Sequence, residues 1–79
     1  MWWLYVKIVD NERQCVYLYN RESREPDGEI VYDKKRGKWQ VTRPCLKDYV
    51  HREYIAVAER QFRHVVAQGF PDTWTAVMG

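Results

Sequence analysis

The first two strand patterns of the chain are apolar on both faces. In segment 2–10, one face carries Trp2, Leu4, Val6 and Ile8, and the opposite face carries Trp3, Tyr5, Lys7 and Val9. Segment 15–20 repeats this, with Val16 and Leu18 on one face and Cys15, Tyr17 and Tyr19 on the other. A strand with one solvated face alternates apolar with polar residues. We therefore expect the second face to be covered by a partner, a second copy or the chain's own tail.

The alternation predicts four strands, at about 2–10, 14–20, 29–33 and 38–43. Turn residues separate them: Asn11 tolerates turn geometry, Pro26 and Gly28 fit a type I turn, and Gly37 suits a bulged hairpin. Pro44 ends the fourth strand because it has no N–H for the ladder. The short connections predict that consecutive strands pair antiparallel.

From about residue 45 to 68 the apolar period becomes helical. The apolar side chains cover an arc of roughly 200°, wider than the stripe of about 100° that packing on one sheet needs. His51 lies inside this arc and is expected to be a core or boundary histidine with a polar partner. Gly69, Phe70 and Pro71 predict the end of the helix. The tail 69–79 fits either a short strand or an irregular flap.

These elements predict one α+β domain over residues 1–79. Its four-stranded antiparallel sheet, in the order β-β-β-β-α, carries one amphipathic helix on one face and ends in a short C-terminal tail. Whether the chain is complete is left open.

Composition narrows the classes of function. The 79 residues carry a net charge of only +2, from 13 basic and 11 acidic residues, so no strong field attracts nucleic acid or anionic lipid. Cys15 and Cys45 are expected to be free thiols in a reducing compartment. No run approaches the roughly 20 apolar residues of a membrane span, and the N-terminal pattern is not the one expected of a signal peptide. We expect a cytoplasmic protein.

No catalytic or metal-binding pattern stands out. Cys45 lies near the predicted helix start, but a nucleophilic thiol needs a base within hydrogen-bond reach, and His51 and His64 point elsewhere. Together with Cys15, these residues lack the close spacings of a zinc site. We therefore expect a non-enzymatic protein with no catalytic residue, metal or cofactor.

The candidate partner-binding residues form two groups. The first is an outer aromatic face, expected to anchor a protein partner, and the second is a basic hairpin, expected to supply a charged rim. The aromatic face consists of Trp3, Tyr5, Tyr17 and Tyr19; the basic hairpin supplies Lys34, Lys35, Arg36 and Lys38. Three alternatives stay open: nucleic-acid binding through the same two groups, a structural homodimer with no separate ligand site, and coverage of the face by Trp74 and the tail.

Several local motifs support a resemblance. The run 28–33 (GEIVYD), the pair Lys38-Trp39, the pair Pro44-Cys45 and a helix ending in Gly69-Phe70-Pro71 together cover about half of the chain. In these features the chain resembles small accessory proteins of bacterial phages and mobile elements. The resemblance implies a protein that binds a host macromolecule stoichiometrically and blocks or adapts it. The expected function is thus a cytoplasmic inhibitor or adaptor acting by protein–protein contact.

Overall fold

The computed structural model describes residues 1–78 of the chain and shows an α+β fold with one antiparallel sheet. Five strands are present: β1 (Trp2–Asp10), β2 (Gln14–Arg21), β3 (Gly28–Asp33), β4 (Lys38–Arg43) and β5 (Thr73–Val77). Their spatial order is β4-β3-β2-β1-β5, and every neighbouring pair is antiparallel. The four strands and their hairpin pairing are confirmed; the prediction of only four strands was wrong.

The fifth strand is the tail, which the sequence left open between strand and flap. It pairs with β1 from Trp2 opposite Val77 to Val6 opposite Thr73. The chain therefore returns across the whole sheet after the helices, and the first strand becomes an inner one. An alternating, β-branched segment such as Thr73–Val77 suits this position.

The predicted helix 45–68 is divided in the structure. A 3₁₀ turn (Leu46–Tyr49) comes first, followed by α1 (Glu53–Gln61) and α2 (Arg63–Ala67). The ladder continues across Phe62, whose N–H donates to Ala58 O and whose C=O accepts from Val66 N–H, so α1 and α2 act as one helical arm. The 3₁₀ turn replaces the first helical turn where the Asp48 side chain points inward to an ion pair with Arg21.

The end of the helical arm follows the prediction. Gly69 adopts a φ of 76°, its N–H donates to Val66 O at 3.1 Å, and the Phe70 N–H donates to Val65 O at 3.0 Å. These two bonds are those of a Schellman motif, which needs the left-handed conformation that glycine adopts without strain. Gly37 likewise takes a positive φ, 66°, in the β3–β4 hairpin.

Candidate protein-binding surface

The helical arm packs on the sheet face that carries Trp3, Tyr5 and Lys7 of β1 and the odd-numbered residues of β2. Phe62 lies with its ring centroid 5.5 Å from Tyr5 and 5.2 Å from Tyr17, both edge-on. The Tyr5 hydroxyl donates to Ala58 O at 2.7 Å, and the Trp39 indole N–H donates to Glu59 O at 2.6 Å. This face of the sheet, called the inner face below, is therefore the core of the domain.

The expected aromatic binding face is this core, so that prediction was wrong. Trp3, Tyr5, Tyr17 and Tyr19 are each 0% exposed. Both faces of β1 and β2 are apolar, and the alternation alone did not show which one the helix covers. None of these four side chains is available to a partner in the folded protein.

Hydrogen bonds fix the buried hydroxyls. Tyr19 Oη accepts the Cys45 N–H at 3.1 Å, and the Tyr17 hydroxyl donates to the Pro71 carbonyl. Burial raises the pKa of Tyr5, Tyr17 and Tyr19 well above the usual tyrosine value, because a phenolate would lose its hydration there. These groups stay protonated and structural at neutral pH.

The opposite, outer face of the sheet is aliphatic at its centre. In β1, β2 and β3 the apolar side chains that point away from the helical arm include Trp2, Leu4, Val6, Val16, Leu18 and Val31, and the polar Asn20 and Glu29 lie on the same face opposite Leu4 and Leu18. No helix of residues 1–78 lies on this side, since the arm packs on the inner face. Leu4 and Val16 are only 9% and 6% exposed, and Trp2, Val6, Leu18 and Val31 are half-buried. The result is a continuous apolar surface, which we call the outer patch.

Polar residues border the outer patch. The edge strands contribute Gln40, Thr42, Thr73 and Thr75, all exposed, and the β2–β3 loop closes one corner, where Asn20 donates to Glu25 O at 2.8 Å. Five strands of five to nine residues, spaced about 4.8 Å apart, give the whole face an area of roughly 500 Å². An apolar centre with a polar rim is the usual arrangement of a protein–protein interface.

The basic hairpin lies at one end of the sheet and is exposed, but half of its charge is already paired. Lys34 Nζ lies 2.5 Å from Asp10 Oδ1, and Arg36 Nε lies 3.8 Å from Asp33 Oδ2. Within residues 1–78, Lys35 and Lys38 have no carboxylate within ion-pair distance. The hairpin therefore offers two free cations rather than the four expected from the sequence.

A second cluster of exposed apolar residues was not predicted from the sequence. Leu46, Tyr49 and Val50, on and just after the 3₁₀ turn, are 73%, 52% and 80% exposed. The wide apolar arc of the predicted helix indicated that some of its apolar side chains would not pack on the sheet, but it did not show which ones. His51 is also exposed, 3.7 Å from Glu53, so its expected place at the core boundary was wrong.

Both thiols are buried. Cys15 and Cys45 are free cysteines with 0% exposure. Burial is the main cause that raises the pKa of Cys45 to about 11, and the nearby Asp48 carboxylate contributes in the same direction. In the part of the chain that is described, no group of three or more His, Cys, Asp or Glu side chains is placed to hold a metal ion.

The Cys45 pKa predicts a loss of stability at alkaline pH. Unfolded thiols ionise near pH 8.5, whereas folded Cys45 holds its proton to about pH 11, so the unfolded state binds fewer protons between these values. The free energy of unfolding should therefore fall as pH rises from about 8.5 to about 11. Urea midpoints measured across this range for the wild type and Cys45→Ala should show a shallower decline in the variant. Parallel declines would contradict the assignment to Cys45.

Comparisons with protein-family models, with curated proteins and with solved structures give no match. Among the helices of residues 1–78, none has the length and apolar character to cross a membrane.

Proposed function

We propose that this protein is a small, non-enzymatic binding module that acts by protein–protein contact, as a cytoplasmic inhibitor or adaptor. The contact surface is the outer patch. The observation that carries this proposal is the row of aliphatic side chains on β1, β2 and β3 over which no helix of residues 1–78 packs. A solvated sheet face would carry polar residues at these positions.

The dimensions of the outer face suit a contact of modest size. An area of roughly 500 Å² on each partner corresponds to about 1,000 Å² of total buried surface, at the lower end for a specific complex. Trp2 is the natural anchor, because large aromatic side chains contribute most to binding energy. Its ring lies 5.8 Å from the Arg24 guanidinium, which places a cation beside it at the patch border.

Nucleic-acid binding is the weaker candidate. It required the aromatic face as a stacking platform, and those side chains now form the core. Lys35 and Lys38 alone would give few phosphate contacts and a shallow dependence of affinity on salt.

Replacing Leu18 with arginine should abolish partner binding while leaving the protein folded. Leu18 lies at the centre of the outer patch and opposite Glu29 of β3, a carboxylate 4.0 Å from Arg43 Nη1 that the new guanidinium can share. Affinity capture from extract of the cell that encodes the protein, with quantitative mass spectrometry, measures which proteins each variant retains. We expect the wild type to retain a defined protein and Leu18→Arg to lose it.

The matched control is Gln40→Arg, which adds the same charge on the same face at the exposed rim. It should retain the partner within a few-fold of wild type. Equal retention by wild type, Leu18→Arg and Gln40→Arg would show that the outer patch does not carry the contact.

A further inference from the structure

The open edge of β5 is a separate feature of the sheet. Met1 and Met78 exchange both of their main-chain hydrogen bonds, and the Lys7 N–H donates to Asp72 O at 2.8 Å. Antiparallel ladders alternate between residues that bond to the neighbouring strand and residues that point away from it. The N–H and C=O groups of Thr73, Thr75 and Val77 therefore point away from β1, out of the sheet.

Nothing in residues 1–78 protects this edge. The strand Thr73–Val77 contains no charge and no proline, and Val77 is 73% exposed. Exposed edge strands normally carry lysine, proline, a bulge or a covering element, because unpaired main-chain groups recruit other strands. β5 has none of these devices, so its edge is competent to pair.

The other edge of the same sheet is protected. On β4, the Val41 N–H that points outward is taken by the Glu59 carboxylate at 2.7 Å, and Lys38 and Arg43 stand at the two ends of the strand. The sheet can therefore be extended at β5 and not at β4. A molecule with a single open edge forms a closed pair rather than an open-ended fibre.

We propose that two copies of this chain pair through their β5 strands to form a homodimer with a continuous ten-stranded antiparallel sheet. The register follows from the outward-pointing residues. Thr75 lies on the two-fold axis opposite Thr75 of the second copy, and Thr73 lies opposite Val77. Every outward N–H and C=O of these three residues then finds a partner, and no two like charges meet.

This inference goes beyond the proposed function, because it uses the main-chain edge of β5, whereas the outer patch is a side-chain surface that Thr73 and Thr75 only border. The dimer places two outer patches side by side on one extended sheet. Such an arrangement makes the module bivalent toward its partner.

Charge exchange at Thr75 tests the register directly. Since Thr75 faces its own copy, Thr75→Lys alone and Thr75→Glu alone should each weaken the dimer about tenfold or more, through like charges across the axis and a disrupted pairing. An equimolar mixture of the two variants should restore a dimer close to that of wild type. Sedimentation equilibrium over a dilution series from about 1 mM downward measures the dissociation constants.

A second pair of variants separates this register from any other. Thr73→Lys should be rescued by Val77→Glu and not by Thr73→Glu, because residue 73 faces residue 77. Thr42→Lys, at the protected edge, is the matched control and should leave the mass unchanged, and thermal melts establish that each variant folds. A wild-type protein that stays monomeric throughout, a dimer insensitive to charge at Thr75, or a mixture that shows no rescue would overturn the proposal.

The same variants keep the two proposals distinguishable. Leu18→Arg should still dimerise, and the charged Thr75 variants should still capture the partner. Loss of the dimer in Leu18→Arg alone would assign self-association to the outer patch and overturn pairing through β5.

Discussion

Replacing Tyr19 with alanine is expected to lower the free energy of unfolding by about 3–5 kcal/mol. The side chain is 0% exposed and stacks with its ring centroid 6.3 Å from that of Tyr5. Its hydroxyl also accepts the buried Cys45 N–H, which alanine would leave unpaired. A domain of this size has roughly 4–12 kcal/mol of stability in total, so the variant should be close to unfolding at 37 °C.

The neighbouring residue on the opposite face is the control. Leu18→Ala removes an aliphatic side chain from the outer patch, where no cavity forms in the core, and should cost only about 1–2 kcal/mol. Urea denaturation followed by tryptophan fluorescence measures both variants. A Tyr19→Ala midpoint close to that of the wild type would restore the aromatic face as an exposed surface and contradict the packing described here.

Replacing Asp48 with alanine should cost about 3–5 kcal/mol, because it removes the buried partner of the Arg21 guanidinium and leaves only the more exposed Glu22 carboxylate, 3.8 Å away. Asp48 is 0% exposed, and its Oδ1 lies 3.1 Å from Arg21 Nη2. The guanidinium carbon of Arg21 also lies 3.9 Å over the Tyr54 ring. Arg21 therefore links Asp48 of the 3₁₀ turn to Tyr54 of α1. Loss of Asp48 therefore loosens the start of the helical arm as well as the pair.

The pair itself is imperfectly satisfied: Arg21 Nε and Asp48 Oδ2 have no hydrogen-bond partner among the described residues. The double variant Arg21→Met with Asp48→Leu should accordingly be more stable than Asp48→Ala alone, since it removes both charges together. A double-mutant cycle in urea gives the coupling energy. A single Asp48→Ala variant with wild-type stability would show that the pair does not hold the turn.

Local rules predicted the backbone of this protein well. The hairpin turn at Gly37 and the helix end at Gly69 need a positive φ, which glycine adopts without strain, and Pro71 has no N–H with which to continue the helix. Both residue types can be read directly from the sequence. The helix start was harder, because a 3₁₀ turn forms where Asp48 turns inward to a residue 27 positions away. No local pattern contains that contact.

The assignment of the two sheet faces failed for a physical reason. A strand repeats every two residues, so a pattern apolar on both faces carries no information about which face the helix meets. The β-bulge between Lys7 and Val9 shifts the alternation further. Lys7 is a charged residue on the inner face, and its ammonium group reaches the sheet end, where it donates to Phe70 O at 3.0 Å and pairs with Asp72.

The sequence predicts that one apolar face of the sheet is available to a partner, and the proposal keeps this prediction but assigns it to the opposite face. Both faces are apolar, the helical arm covers only one, and the tail adds an edge strand instead of a cover. The four aromatic residues became the core, and the aliphatic side chains between them became the candidate contact surface.

Site-specific photo-cross-linking from Val31 tests this account most directly. Val31 lies in the outer patch on β3, and a photoreactive amino acid there should yield one discrete adduct with a foreign protein in cells that express the variant. The same group at Arg63, on the exposed side of the helical arm, should give no such product. A discrete adduct from Arg63 with none from Val31 would contradict the assignment of the outer patch as the partner-binding surface.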